Sequence, residues 1–291
     1  MSLAREKIQS RGLDAVTAQI EDAAPQVRLR GALSRALSED GLVPARARDL
    51  RTHPAVVKLL FGRDVLEESA QRALLEPKLS ALRKPDGMAG FEPAVELLVS
   101  AWKHGFRVGV FGDYDVDGVT TTTILTTFLE AIGIEIIARV ASRERGYGFG
   151  VEDAKALAQA GAKVVLTGDC GTSDHEALAW LKDRGIPTAV IDHHQVPEQM
   201  PPTDALLNPH QPGCDFPFKG LCSAGVAFYL CAALRSALAR EVPRNQLPDP
   251  RAWLDLVAMG TVCDMVPMVD ENRILVRHGL GVVAQRRRPG V

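Results

Sequence analysis

From Phe106 onward the chain alternates between two kinds of apolar pattern. "FRVGVF" (106–111), "IEIIARV" (134–140), "AKVVLTG" (162–168) and "IPTAVI" (186–191) are short and almost continuously apolar, which predicts strands buried on both faces. Between them, "VTTTTILTTFLEAIG" (119–133, closed by Gly133), "VEDAKALAQAG" (151–161) and "SDHEALAWLKDRG" (173–185) carry apolar residues at helical spacing. Strands separated by helices of this length pair in parallel. The right-handed crossover rule then predicts a doubly wound, mostly parallel α/β fold, with the strand order left open.

Upstream, residues 1–88 read as a helical region. "AVTAQIEDAA" (15–24), "LRGALSRALSED" (29–40) and "DVLEESAQRALLEPKLSAL" (64–82) all show helical periodicity. "RKPDGMAG" (83–90) interrupts it and places a domain boundary there, so that 89–291 forms the α/β domain with a helical C-terminal part. Glu92 and Pro93 open a helix that runs through Trp102. The proline-rich stretch 196–222 reads as a long irregular loop, and a loop of that length in a compact domain tends to be functional. Helices are predicted from Ser223 to about Arg240 and from about Arg251 to Gly260.

With 34 basic and 36 acidic residues the net charge is −2, so the chain has no polybasic footprint for nucleic acid. That argues against tight nonspecific binding by charge, but not against a nucleic-acid substrate held through metal ions. Five cysteines without a CxxC pair, and no secretory apolar segment, fit reduced thiols and a cytoplasmic setting. No apolar run approaches the roughly 18 residues of a membrane helix.

The chemistry sits at the strand ends. After "VGVF" comes Asp113-Tyr-Asp115-Val-Asp117, after "KVVLTG" comes Asp169, and after "PTAVI" comes Asp192-His193-His194. In an open parallel sheet these positions share the carboxyl edge where ligands bind. Asp264, after an apolar helical run, can reach the same edge. Three aspartates within five residues repel one another unless a cation lies among them. Carboxylates with one or two imidazoles suit Mn²⁺ or Mg²⁺, and two such ions can clamp a phosphoryl displacement.

Taken singly, each piece has an ordinary explanation: an Asp at a strand end caps helices or forms turns, and paired histidines can be plain loop residues. Only their conjunction on one edge favours a metal site. Arg143, Arg145 and Tyr147 in "SRERGYGFG" could grip phosphate and stack on a base, or form a solvated loop. Ser223 and Gly225 open a helix that could receive an anion, or Ser223 could simply cap it.

"GDYDVDGVTTT", "DCGTSD", "IDHH", "LLNPHQPGCDFPFKGLCSAGVAF" and "AMGTVCDMVPMVDENRILVRHGL" together resemble the successive motifs of the DHH phosphoesterases, in particular those that degrade single-stranded DNA from 5′ ends. The resemblance implies a Mn²⁺-dependent phosphodiesterase with two ions per site, Mg²⁺ being a possible substitute. It implies metal ligands at Asp113, Asp115, Asp117, Asp169, His193 and Asp264, and catalytic roles for Asp117, Asp192 and His194, the last orienting phosphate or donating a proton. The implied substrate is single-stranded DNA or a short oligonucleotide, with other DNA-repair proteins as possible partners and no membrane. Such enzymes carry a further Gly-rich domain, and this sequence holds no Gly-Gly pair, so a catalytic core is expected.

Two rivals stand beside this reading. "DYDV" also fits a haloacid-dehalogenase phosphatase with Asp113 as nucleophile and Asp115 as acid/base, but leaves Asp117, His193, His194 and Asp264 without work. A non-catalytic DHH-like scaffold would need no complete ligand set, which this sequence retains. Hydrolysis of cyclic or linear dinucleotides is the substrate alternative.

Overall fold

The computed structural model describes residues 42–144 and 146–290. Up to Leu75 the described residues form one unit and from Glu76 onward another. In the first, α1 (Leu42–Asp49), α2 (Pro54–Phe61) and α3 (Glu68–Leu75) surround a small core of Val43, Ala47, Leu50, Val57 and Phe61. The predicted helix over 64–82 is divided: α3 ends before Pro77, whose ring cannot continue an α-helix, and a 3-10 turn follows at Leu79–Ala81. The helices predicted over 15–24 and 29–40 lie outside the described residues.

The second unit is built on five parallel strands in the order β2-β1-β3-β4-β5: β1 (Val108–Gly112), β2 (Ile136–Val140), β3 (Val164–Gly168), β4 (Thr188–Ile191) and β5 (Ala205–Leu207). Four are the strands predicted from sequence. β5 is new: three buried residues, Ala-Leu-Leu, inside the stretch read as an irregular loop. Too short to show a period, it is held by its parallel pairing with β4.

Alternation along each strand sends neighbours into different cores. Val108 and Val110 of β1, Val164 and Leu166 of β3, and Ala189 and Ile191 of β4 face α4 (Phe91–His104), α5 (Val116–Ala131), α8 (Ser223–Leu238) and α9 (Leu254–Cys263). Phe111, Val165 and Val190 face the other way, against α6 (Val151–Gln159) and α7 (His175–Lys182). The sheet is therefore covered on both faces, as its apolar strands require. A further helix, α10 (Asp270–Val283), packs on α9 and was not separately predicted.

The crossover from β1 to β2 runs one way along the sheet and that from β2 back past β1 to β3 the other, so the order reverses between β1 and β3. At such a switch point the loops diverge and leave a crevice at the carboxyl edge.

Candidate metal centre

Asp115 is the N-cap of α5: its Oδ1 accepts from the Gly118 amide at 2.9 Å. The helix begins at Val116, earlier than predicted, so Asp117 lies in its first turn and points inward, fully buried. The α9 backbone comes close here, since a Cβ on Gly260 would lie 2.7 Å from both Asp117 Oδ1 and Thr120 Oγ1. Asp264 is the C-cap of α9 and reaches the same edge.

The N-terminus of α8 does receive an anion, but one from the protein itself. Asp117 Oδ2 accepts from Ser223 N at 2.7 Å and Oδ1 from Ala224 N at 3.0 Å. Ser223 Oγ donates to Asp169 Oδ1 at 3.0 Å, and Ser223 and Gly225 are both buried. The Ser223 and Ala224 amides and the Ser223 hydroxyl are thus already engaged with carboxylates of the site, so a substrate anion at Ser223 would have to compete with Asp117 and Asp169.

Asp169 leaves β3 in a left-handed conformation (φ 63°) that aspartate tolerates better than most residues. Its carboxylate faces His193, whose Nε2 lies 3.4 Å from Asp169 Oδ1, 3.7 Å from Asp264 Oδ2 and 3.9 Å from Asp117 Oδ2. Two groups of potential ligands share this imidazole: Asp117, His193 and Asp264, and Asp169, His193 and His194.

Asp192 plays a different part. Its Oδ1 accepts from the amides of His193 (2.7 Å) and His194 (3.2 Å) and from His194 Nδ1 (2.7 Å), while its Oδ2 accepts from Thr172 N (3.2 Å). Burial opposes its ionisation but is outweighed by these bonds, led by the one from the His194 ring, which bring its pKa down to about 2. In return Asp192 raises the pKa of His194. His194 Nε2 faces Tyr147 Oη at 3.1 Å, and Tyr147 also donates to the Asp169 carbonyl at 2.8 Å.

The remaining carboxylates are uncomfortable. Burial, then the charges of Asp117, Asp115 and Asp192, push Asp169 up to about 10. Burial likewise raises Asp113, Asp117 and Asp264. Among the described residues, both carboxylate oxygens of Asp113, Oδ2 of Asp169 and Nε2 of His193 are buried without a hydrogen-bond partner. Orphaned acceptors gathered at one edge are what a hard or borderline divalent cation satisfies, so the donor set fits Mn²⁺ or Mg²⁺.

Of the predicted substrate contacts, Tyr147 stands against His194 in an edge-on ring contact and is about half exposed. Arg143 lies over the ring of Tyr114, 5.2 Å from its centroid. Arg145 is outside the described residues. Tyr114, Thr172 and Asn208 went unread in the sequence, and Asp174 enters in a structural part. Asp174 Oδ2 ties the Tyr147 loop to the β3 exit by accepting from the amides of Phe149 and Gly171. Asn208 follows the apolar triplet of β5 as the other polar residues follow their strands, a signal visible only once that triplet is recognised as a strand.

Fold and site together define a DHH-type α/β domain: residues 107–261, more than half of the chain, match the model described as the DHH family N-terminal domain, and the chain belongs to that family. Its relatives include RecJ, the single-stranded-DNA-specific exonuclease. The chain is 36% identical to RecJ of Escherichia coli over 245 residues, which is 82% of this chain and 42% of that protein. It is 36% identical to RecJ of Haemophilus influenzae over 78% of this chain and 40% of that protein. It thus spans about two fifths of these relatives' length. Among solved structures, RecJ of Thermus thermophilus in complex with Mn²⁺ superposes with a TM-score of 0.66 at 31% identity, covering 82% of this chain and 33% of that one. Exonuclease RecJ bound to manganese superposes with a TM-score of 0.61 at 34% identity, covering 70% of this chain and 49% of that one.

Proposed function

We propose that this chain is the catalytic domain of a metal-dependent, single-strand-specific DNA exonuclease that hydrolyses phosphodiester bonds from the 5′ end. The observation that carries this reading is His193 Nε2, buried and unpartnered among Asp117, Asp169 and Asp264. The names of the relatives, and the Mn²⁺ and Mg²⁺ bound by RecJ structures, support it.

Asp117, His193 and Asp264 would hold one ion, and Asp169 and His193 a second, with Asp113 and Asp115 completing the acidic set. Such ions supply Lewis acidity toward the phosphate and bring the ionisation of water near neutral pH. Asp192 holds the His194 ring in place and keeps its proton available, so that Nε2 can donate to a phosphate oxygen or to the departing alkoxide. Tyr147, about half exposed beside it, offers a ring on which a base can stack. The phosphatase reading is not favoured, because it leaves Asp117, His193 and Asp264, which stand together at the same edge, without work. The scaffold reading is not favoured either, because two groups of potential ligands stand together around His193. The five free cysteines suit work in the cytoplasm, and no described helix is long and apolar enough to cross a membrane.

The test offers the chain 5′- and 3′-labelled single-stranded DNA with Mn²⁺, beside EDTA and Asp264→Ala controls. Mononucleotides released from the 5′ end only with metal and intact Asp264 are expected. Hydrolysis of dinucleotides alone would move the substrate, and inertness despite bound Mn²⁺ would overturn the enzymatic reading.

A further inference from the structure

Beyond the carboxylates and histidines, one polar side chain at the edge is completely buried and fully engaged. Asn208 leaves β5 with no exposed surface. Its Nδ2 donates to the carbonyl of His194 at 2.8 Å and to Thr172 Oγ1 at 3.3 Å, while its Oδ1 accepts from His210 N at 2.9 Å. Three loops meet on this one amide: the β3 exit through Thr172, the β4 exit through His194 and the β5 exit through His210.

Both donor bonds bear on His194. The first anchors its backbone directly. The second fixes Thr172, whose amide donates to Asp192 Oδ2, and Asp192 Oδ1 in turn accepts from the His194 ring. His194 needs such support. Its side chain is about half exposed, and beyond Asp192 its ring is met by the Tyr147 hydroxyl at 3.1 Å. The DHH loop carries no regular structure of its own, so its backbone polar groups must find partners elsewhere.

Resting on the function proposed above, we infer that Asn208 is a positioning residue for the reaction, acting through His194. A buried amide that donates to two loops at once has no hydrophobic equivalent of the same shape, because removing it orphans the His194 carbonyl and releases the Thr172 side chain from the β5 exit. Residues that hold a reacting side chain in this manner typically lower activity by about 10- to 100-fold when replaced.

The experiment is a double-mutant cycle with two readouts. Asn208→Ala, His194→Ala and the pair are compared for Mn²⁺-dependent cleavage of labelled single-stranded DNA. A loss of about 10- to 100-fold from Asn208→Ala in the wild-type background, falling below about twofold in the His194→Ala background, is expected. Equal losses in both backgrounds would overturn the inference and leave Asn208 a structural residue. Asn208→Asp, which keeps the volume and the acceptor for His210 N but lacks the donor, guards against a variant that fails to fold and should lose activity similarly. Full activity in Asn208→Asp would also overturn the inference. The second readout needs no catalysis. In ¹⁵N-histidine spectra of the metal-free protein, the His194 Nδ1–H signal, assigned through His194→Gln, should be protected from solvent exchange in the wild type and exchange faster in either Asn208 variant. An unchanged signal would sink the inference. Should the wild type cleave nothing, the nuclease reading falls, and this spectrum alone then decides whether Asn208 positions His194.

Discussion

The carboxylate of Asp117 lies across the first two amides of α8, 2.7 Å from Ser223 N and 3.0 Å from Ala224 N. A residue from the β1 exit therefore serves as the cap of a helix that begins more than a hundred positions later. Asp117 is a candidate metal ligand and a piece of the architecture at once, whereas Asp169 accepts from the Ser223 hydroxyl and caps no helix.

The two aspartates should therefore respond oppositely to replacement in metal-free protein. Asp117→Ala strips both amides of their acceptor and should lower stability by about 1–3 kcal/mol. Asp169→Asn keeps an acceptor for Ser223 and spares the fold the cost of holding this carboxyl protonated where the unfolded chain would ionise it, and should raise stability at neutral pH. Urea denaturation in EDTA measures both signs.

A pH dependence follows from the same residue. Asp169 titrates at about 10 in the folded chain, far above an unfolded carboxylate. Its contribution to metal-free stability is full below the unfolded pKa near 4 and is lost progressively as pH rises toward the folded value. Between pH 6 and 8, metal-free stability should fall with rising pH by up to about 1.4 kcal/mol per unit, and Asp169→Asn should flatten that slope. Saturating Mn²⁺ should restore wild-type stability by about 2.7 kcal/mol at a hundredfold excess over its Kd, and should do little for Asp264→Ala.

Glu271 predicts a loss of a different kind. It is fully buried, accepts from the Arg83 amide (3.1 Å) and guanidinium (2.7 Å), and bonds Tyr229 Oη. Glu271→Ala leaves a buried phenol and the Arg83 amide without their acceptor, and the Arg83 guanidinium with Asp270 alone, and should cost about 1–3 kcal/mol. Thermal unfolding checks this, and Mn²⁺ should still raise the midpoint, because Glu271 lies outside the ligand groups.

Thiol titration offers a check on the fold. Cys263 is exposed and Cys214 partly so, while Cys170, Cys222 and Cys231 are buried, with burial raising each of their pKa values. A disulfide reagent should modify Cys263 quickly and Cys214 slowly, and the other three only after denaturant is added. Rapid reaction of all five would contradict the burial.

Most of the candidate centre was legible in the sequence because it lies where strands stop. Asp115, Asp169 and His193 each follow an apolar run, so recognising the strands located the acids. The strand order was not legible, since apolar runs state that a strand is buried but not which neighbour it pairs with. Division of labour among the aspartates was equally hidden. Asp115, Asp117 and Asp192 differ in role through which donors approach them: for Asp117 the amides of Ser223 and Ala224, and for Asp192 above all the His194 ring. Glu271 escaped because a buried carboxylate reads as a surface residue until Arg83 and Tyr229 are seen to meet it.

The alternation that divides Val110 from Phe111 between two cores also acts as a ruler for the centre. A one-residue insertion within β1 would exchange the occupants of both cores and carry Asp113, Asp115 and Asp117 out of step with Asp169. A similar insertion near Gly146 would disturb neither core. A change in length is thus costly in the strands and cheaper in the loop that bears Tyr147, so the register of the centre is set by the sheet and is independent of the length of that loop.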